Sequence, residues 1–467
     1  MERSIAQGPS ADPRGALVDT AAPRARTAFA VGLGLVLACL VLYHLTRPSY
    51  EATYNHFAWQ AQAWLEGELS IRYPVLESAA GPGNAYFNDV IPVVDGDGIP
   101  TGRGMIPFPP LPAVVLLPFV ALAGLAVDQT LLAIVIGALD VAVAFWLLGR
   151  LAVRPSVRNL LTVFVGAGAA LWYAASLGST WFFAHVVAVG LTLAAVGLAL
   201  DAEEREAARE PGPRPLLDGR QLAAGFLLGL AATSRLTVAF GFPFLLLVGG
   251  GGWRRRGASA GIGMAIPILG LLAYNLAATG SLFNPAYEAL YRYEAVAYPD
   301  LGYNTGWSLQ DLRYIPQNLG IMLFGLPALM PPCDPGVARL PWSAVGCSWL
   351  IPEQRGMSFL LASPAYLLAL PALALLRDRR VVGAFVATAA IAAVNLMHFS
   401  QGWVQFGYRF SLDFAPFLLV AVALGMERFL GPRGEARAGR LTVAVVLVAA
   451  SVAIQAWGIA WARTLGW

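Results

Sequence analysis

Residues 221–250, QLAAGFLLGLAATSRLTVAFGFPFLLLVGG, form an apolar stretch interrupted by one permanent charge, Arg235. An arginine at bilayer depth costs roughly 2.5–3.5 kcal/mol on insertion scales. Such a group is retained where it faces a polar cavity and meets a carboxylate or an anion. The flanking stretches, 221–234 and 236–250, are each short for a membrane crossing. A broken or tilted hairpin is expected, because irregular backbone is tolerated at membrane depth where it lines a cavity.

The remainder of the 467 residues fits this reading. Hydrophobic residues make up 57% of the chain and charged residues 13%, against about 25% charged in soluble domains. Apolar runs recur from residue 28 to residue 461, which leaves no space for a soluble domain of ordinary size. The expected architecture is an all-α integral membrane bundle over 27–467, after a disordered cytoplasmic tail over 1–26. The net charge of +3 comes from arginines in short loops and carries no signal for nucleic acid. Every one of the 31 Lys+Arg positions is arginine, which excludes lysine Schiff-base and lysine general-base chemistry.

Residues 28–46 are basic in front and lack a small-x-small cleavage site behind, the pattern of a retained signal anchor. Arginine bias orients the later spans. Clusters at Arg150/Arg154/Arg158, 205–220, 254–256, 377–380 and 428–440 are placed in the cytoplasm. The polar islands 47–107, 176–183, the point at Arg235, 280–356 and 398–412 then fall outside. This predicts spans over 28–46, 130–148, 159–175, 184–200, 221–234, 236–250, 258–279, 357–376, 381–397, 413–427 and 441–461. Segment 108–126 carries Pro109, Pro110, Pro112 and Pro118 and is expected to be interfacial or re-entrant. If it crosses, the count rises from about eleven to twelve. Cys39 lies inside the first span. Cys333 and Cys347 share an outer loop where an oxidising compartment permits a disulfide. No CxxC or Cys/His metal spacing occurs.

The unusual polar residues gather on the predicted outer side. The first loop holds Glu51, Asn55, His56, Asp89, Asp95, Asp97 and Arg103. The second long loop holds Tyr287, Glu288, Tyr291, Arg292, Glu294 and Gln317. The last reads His398-Phe-Ser-Gln401-Gly-Trp403-Val-Gln405-Phe-Gly-Tyr408-Arg409-Phe-Ser-Leu-Asp413. Asp95-Gly-Asp97-Gly is a turn pattern whose aspartates cap backbone. His185, after Trp181-Phe182-Phe183, is either a ligand-facing imidazole or an interfacial one satisfied by backbone. Arg409 and Asp413 are spaced for a local helix pair; with Gln405 and Tyr408 they also make a dense polar rim suited to a ligand. Asp89 follows Gly81-Pro-Gly-Asn84 and suits a general base that deprotonates an acceptor hydroxyl.

The signal anchor, the outer loop with Ala61-Gln-Ala63-Trp-Leu65-Glu-Gly67-Glu-Leu69, the Phe108-Pro-Pro-Leu-Pro112 segment and the short helix ending Ala232-Thr-Ser-Arg235 resemble the GT-C superfamily of multi-pass glycosyltransferases. Within it the likeness is to bacterial relatives of the protein O-mannosyltransferase and lipid A aminoarabinose transferase group. Tyr274-Asn275, Gly280-Ser281-Leu-Phe283 and Tyr287 are similar as well. The resemblance implies sugar transfer from a polyprenyl-phosphate donor to a glycan, lipid or protein acceptor on the outer face of the plasma membrane. It implies an acidic base in the first outer loop and arginines on the lipid phosphate. Carried to this chain, Asp89 is the base, Arg235 a phosphate ligand and Arg409 a second one. Many members place an aspartate close behind the first helix, where this chain reads Tyr50-Glu51-Ala-Thr-Tyr54-Asn55-His56; Glu51 is therefore the alternative base. His56, His185, Tyr287, Gln405, Tyr408 and Asp413 complete the expected substrate-binding set.

Two other classes fit parts of the pattern. A transporter or flippase of lipid-linked saccharide would also keep Arg235, Asp140 and broken helices, although no internal repeat is visible. A non-catalytic subunit of envelope-polymer assembly would explain the missing early aspartate. No cofactor is required by the residues. A divalent cation at the sparse acids Asp89, Asp95 and Asp97 is left open, and their turn has no recognised calcium-loop length.

Overall fold

The computed structural model describes residues 13–47, 54–73, 89–212, 214–297, 304, 306–330, 339–340, 347–432 and 438–466. In chain order the helices are α1 (Pro13–Thr46), α2 (His56–Leu65), α3 (Leu111–Ala123), α4 (Gln129–Leu148), α5 (Pro155–Val163), α6 (Ala170–Leu177), α7 (Thr180–Ala207) and α8 (Gly219–Ala232). They continue with α9 (Phe242–Leu247), α10 (Trp253–Thr279), α11 (Ala286–Ala297), α12 (Ile315–Leu319), α13 (Phe359–Ala362), α14 (Arg379–Met397), α15 (Ser411–Leu430) and α16 (Ala438–Leu465). The polytopic helical bundle expected from composition is present. Among the described residues, six helices are long and apolar enough to cross a membrane: α1 from Thr27, α4, α7, α10, α14 and α16. The bent pair Pro155–Gly168 and Ala170–Leu177 makes a seventh if it is one span.

The other expected spans are shorter, broken or more charged. Segment 221–250 folds as α8, a 3₁₀ turn Leu236–Gly241 and the six-residue α9, with Arg235 extended at the break. Residues 364–375 form a 3₁₀ helix that contains Pro371. Helix α15 is long enough but carries Asp413, Glu427 and Arg428. Segment 108–126 contains α3, with Pro118 inside it and a 3₁₀ turn behind. Helix α1 begins at Pro13, inside the stretch 1–26 read from sequence as a tail.

Helix starts are set by side-chain caps. The Asp128 carboxylate accepts from Leu131 N–H at 2.8 Å and pairs with Arg47 at 3.0 Å. Asp218 accepts from Arg220 and Gln221 N–H, and Asp378 from Arg380 N–H. Each cap satisfies donors that a helix start leaves unpaired.

Helices α8 and α10 pack through small residues. A Cβ on Gly225 would lie 2.0 Å from the Ala260 carbonyl oxygen, and one on Gly263 would lie 2.0 Å from the Leu222 oxygen. Backbones this close are the packing mode of membrane helices that lack a hydrophobic drive to associate. Gly225→Ala forces the two helices apart and is expected to cost about 1–3 kcal/mol, the usual penalty of overpacking. Thermal unfolding in detergent measures it. Gly34→Ala, on an open face with nothing within 4 Å, is the neutral control.

The predicted first outer loop is built rather than irregular. It holds α2 and a three-stranded antiparallel sheet ordered β1 (Ile71–Arg72), β3 (Pro100–Met105), β2 (Ile91–Val94). Ile71 pairs with Gly104 and Ile91 with Met105. Gly104 has no side chain because Val90 lies over it: an added Cβ would sit 2.5 Å from Val90 Cγ1. Val90, Ile71, Ile106 and Ala63 form one apolar cluster, which holds the segment beginning at Asp89 against the helical bundle. Asp95 makes the expected turn, its Oδ1 accepting from Asp97 and Ile99 N–H at 2.9 Å each. Cys39 is a free buried thiol. Cys347 is disulfide-bonded, and Cys333 lies outside the described residues.

Candidate active site

The bundle has two chemically distinct ends. At one, ion pairs tie neighbouring helices together. Arg154 grips Glu427 at 2.6 Å, Asp201 meets Arg150, Arg205 and Arg220, and Arg379 pairs with Glu203 at 2.8 Å. At the other end lie the starts of α7 and α15, the ends of α8 and α14, and the loops carrying Asp89 and Arg409.

The first turns of α7 organise this second end. Trp181 Nε1–H donates to Asp89 Oδ2 at 2.8 Å. Four residues on, and so on the same helix face, His185 Nδ1 lies 3.0 Å from Asp413 Oδ1. Between them, Phe182 carries the Arg409 guanidinium 5.4 Å from its ring centre. One helix start thus positions the candidate base, a buried carboxylate and a guanidinium.

Arg235 is extended at the break after α8, and its fork grips Asp413. Nε donates to Oδ1 and Nη2 to Oδ2, both at 3.1 Å. Asp413 Oδ2 also accepts from Thr237 Oγ1–H at 2.8 Å and from Asn395 Nδ2–H at 3.3 Å. The side chain of Asp413 is fully buried, whereas 19% of the Arg235 side chain is exposed. Asp413 thus pairs across the bundle with Arg235, a different partner from the local Arg409 that spacing also permitted. Arg235 and Arg409 both approach the Phe410 ring, at 5.1 and 5.4 Å from its centre. Two guanidiniums therefore flank one aromatic ring.

Tyr287 joins the two halves, close enough to Arg235, Asp89 and Asp413 for all three charges to act on it. Burial pushes its phenol up to about 12, with Arg235 opposing. Burial, with the charges of Arg235 and Arg409 added, pushes His398 down to about 4, so it is neutral at pH 7. Asp89 has a positive φ of 64°, a backbone state uncommon outside glycine, asparagine and aspartate and often found at functional sites.

Several expected ligands instead build the scaffold. Thr180 Oγ1–H donates to the Tyr54 carbonyl at 2.9 Å, so the contact of 2.9 Å from His56 Nδ1 to the same oxygen is donated by the imidazole. His56 is buried and its tautomer is thereby set. Tyr408 O–H donates to Gln401 Oε1 at 2.6 Å, and Gln405 Nε2–H donates to the Gln401 and Arg355 carbonyls. Both side chains are buried and fold the rim loop on itself. Glu51 lies outside the described residues. No group of three or more metal-ligating side chains occurs among the described residues. Trp181, Thr237 and Asn395 belong to the site and were not singled out from sequence, and Glu294, named there among the outer polar residues, was given no role. The one available signal was the spacing of Trp181 to His185.

The chain superposes on ArnT from Cupriavidus metallidurans bound to undecaprenyl phosphate, with TM-score 0.51 and 12% identity over 93% of this chain and 77% of that one. It also superposes on the Archaeoglobus fulgidus oligosaccharyltransferase tethered with an acceptor peptide, with TM-score 0.50 and 12% identity over 93% and 55%. This chain spans about half the length of the archaeal protein. No protein-family model and no curated protein sequence matches it. The likeness shows a shared fold, a polytopic helical membrane bundle.

Proposed function

We propose that this protein transfers a sugar from a polyprenyl-phosphate donor to an acceptor hydroxyl at the end of the bundle opposite the arginine-rich loops. The observation that carries this reading is the gathering of Asp89, Arg409 and the Arg235–Asp413 pair at the first turns of α7. Asp89 takes the acceptor proton, the acceptor oxygen bonds to the anomeric carbon, and the bond from that carbon to the phosphate oxygen breaks with inversion. The leaving polyprenyl phosphate keeps the electron pair. Positive charge placed where that negative charge develops lowers the barrier. Arg409 and Arg235 are the two phosphate ligands of this reading, and Arg235 also holds Asp413 through two of its donors. Arg235 contributes its remaining edge and its field. An arginine suits this task because it stays charged and binds phosphate in bidentate fashion.

The donor must be membrane-borne if the site faces away from the cytosol, which is the orientation the arginine loops favour. The N-terminus then lies in the cytoplasm, and the protein belongs to the plasma membrane. The likeness to a fold that holds undecaprenyl phosphate in ArnT supports this choice of lipid. A gene deletion complemented with wild type or Arg409→Ala tests the reading through sugar analysis of the envelope glycans. One glycan sugar is expected to vanish on deletion and return with wild type. Arg409→Ala should restore roughly 10–100-fold less, the worth of a lost charge-assisted hydrogen bond of about 1.5–3 kcal/mol. Unchanged glycans in the deletion strain contradict it.

A further inference from the structure

The proposed transfer step leaves Glu294 without a task. It sits on α11, which packs against β2 next to Asp89, and its carboxyl lies within hydrogen-bonding reach of that of Asp89. Two carboxyl groups can hydrogen-bond to each other only if one of them carries a proton. The indole N–H of Trp181 is a pure donor, and it occupies Asp89 Oδ2. That bond favours the ionised form of Asp89, so the proton belongs on Glu294. We propose that Asp89 and Glu294 form a carboxyl dyad holding one proton at rest, in which protonated Glu294 donates to ionised Asp89 and positions it for the acceptor. The dyad rests on the transferase reading and deepens it.

The surroundings support one proton rather than none or two. Burial, and after it the charge of Asp89 and the bond to it, push Glu294 up to about 8. Burial also raises Asp89, while Trp181, Glu294 and the charge of Arg409 act the other way. The groups facing the dyad are Trp181 from α7, Arg409 from the rim loop and Tyr287 from α11. The Glu288–Arg292 pair of α11 is exposed and closed on itself at 3.1 Å. Like charges held together cannot both ionise easily, so such pairs titrate as a unit.

During transfer the acceptor O–H proton passes to Asp89 while Glu294 keeps its own. The dyad then holds two protons and releases one to solvent to reset. At alkaline pH Glu294 loses its proton, the pair becomes a dianion, and Asp89 loses the donor that positions it. Wild-type transfer is thus expected to fall on both sides of neutrality.

The test uses the purified full-length chain in two readouts. The first is the infrared difference spectrum of wild type minus Glu294→Gln at neutral pH, where the carbonyl stretch of a protonated carboxyl is expected in wild type and absent from the variant. The second is the pH profile of transfer. Glu294→Gln still donates a hydrogen bond but does not titrate, so it should keep most of the neutral activity and lose the alkaline decline. Glu294→Ala should lose about tenfold or more at all pH values, because one charge-assisted hydrogen bond is worth about 1.5–3 kcal/mol. No protonated-carboxyl difference, or an alkaline limb unchanged in Glu294→Gln, overturns the dyad. Absence of transfer by wild type with the infrared signal present overturns the transferase reading and leaves the dyad standing.

Discussion

Asp89→Asn is expected to reduce sugar transfer by about 10²–10⁴-fold, the usual worth of a positioned general base, while leaving folding and lipid binding intact. The substitution is nearly isosteric. The amide oxygen can still accept from Trp181 Nε1–H, and asparagine tolerates the positive φ that Asp89 adopts. The substitution removes the capacity to take a proton from the acceptor and turns one oxygen facing Glu294 into an N–H donor. Initial rates of transfer by purified wild type and variant measure the effect, with matched melting curves as the folding control. A variant with near-wild-type rates removes Asp89 from the chemistry. The role then passes to Glu51.

The second large effect is on stability. Asp413→Ala strands Arg235 in a buried setting and removes the acceptor shared by Thr237 and Asn395. Breaking a buried pair from one side costs about 3–5 kcal/mol, because the remaining charge is left without compensation. Replacing both partners with apolar residues of similar volume is often far milder. Arg235→Met with Asp413→Leu should therefore melt well above Asp413→Ala alone. Thermal unfolding of the two singles and the double in detergent completes the cycle. Additive losses show that the two residues act separately and contradict the pairing.

The break at Arg235 was legible in the sequence because a lone arginine in an apolar run admits few explanations. Its partner was not, since Asp413 lies 178 positions away and local spacing made Arg409 an equally good match. The carboxylate side of the expectation was right in kind. Glu294 was hidden for a different reason. The helix AYEALYRYEAVA reads as an amphipathic surface segment, and nothing in its pattern distinguishes Glu294, which meets Asp89, from Glu288, which meets Arg292 one turn on. Trp181 entered the sequence reading only as a neighbour of His185, and an indole N–H aimed at a carboxylate 92 positions away leaves no local pattern. Gln405 and Tyr408 looked like ligands because polar residues at a membrane rim invite that reading. Their partners are backbone carbonyls and Gln401, which only the folded loop reveals. The strands around Asp89 are too short to leave a periodic signal, β1 being two residues long.

The most direct measurement tracks the lipid. Purified protein in proteoliposomes is incubated with polyprenyl-linked sugars extracted from membranes of the source organism, and donor lipid, polyprenyl phosphate and glycosylated acceptor are quantified by mass spectrometry. Polyprenyl phosphate is expected to appear in step with new glycoside, and Asp89→Asn to stop both. Donor lipid that changes leaflet while its sugar–phosphate bond stays intact would contradict it, and would make this protein a carrier of lipid-linked sugar.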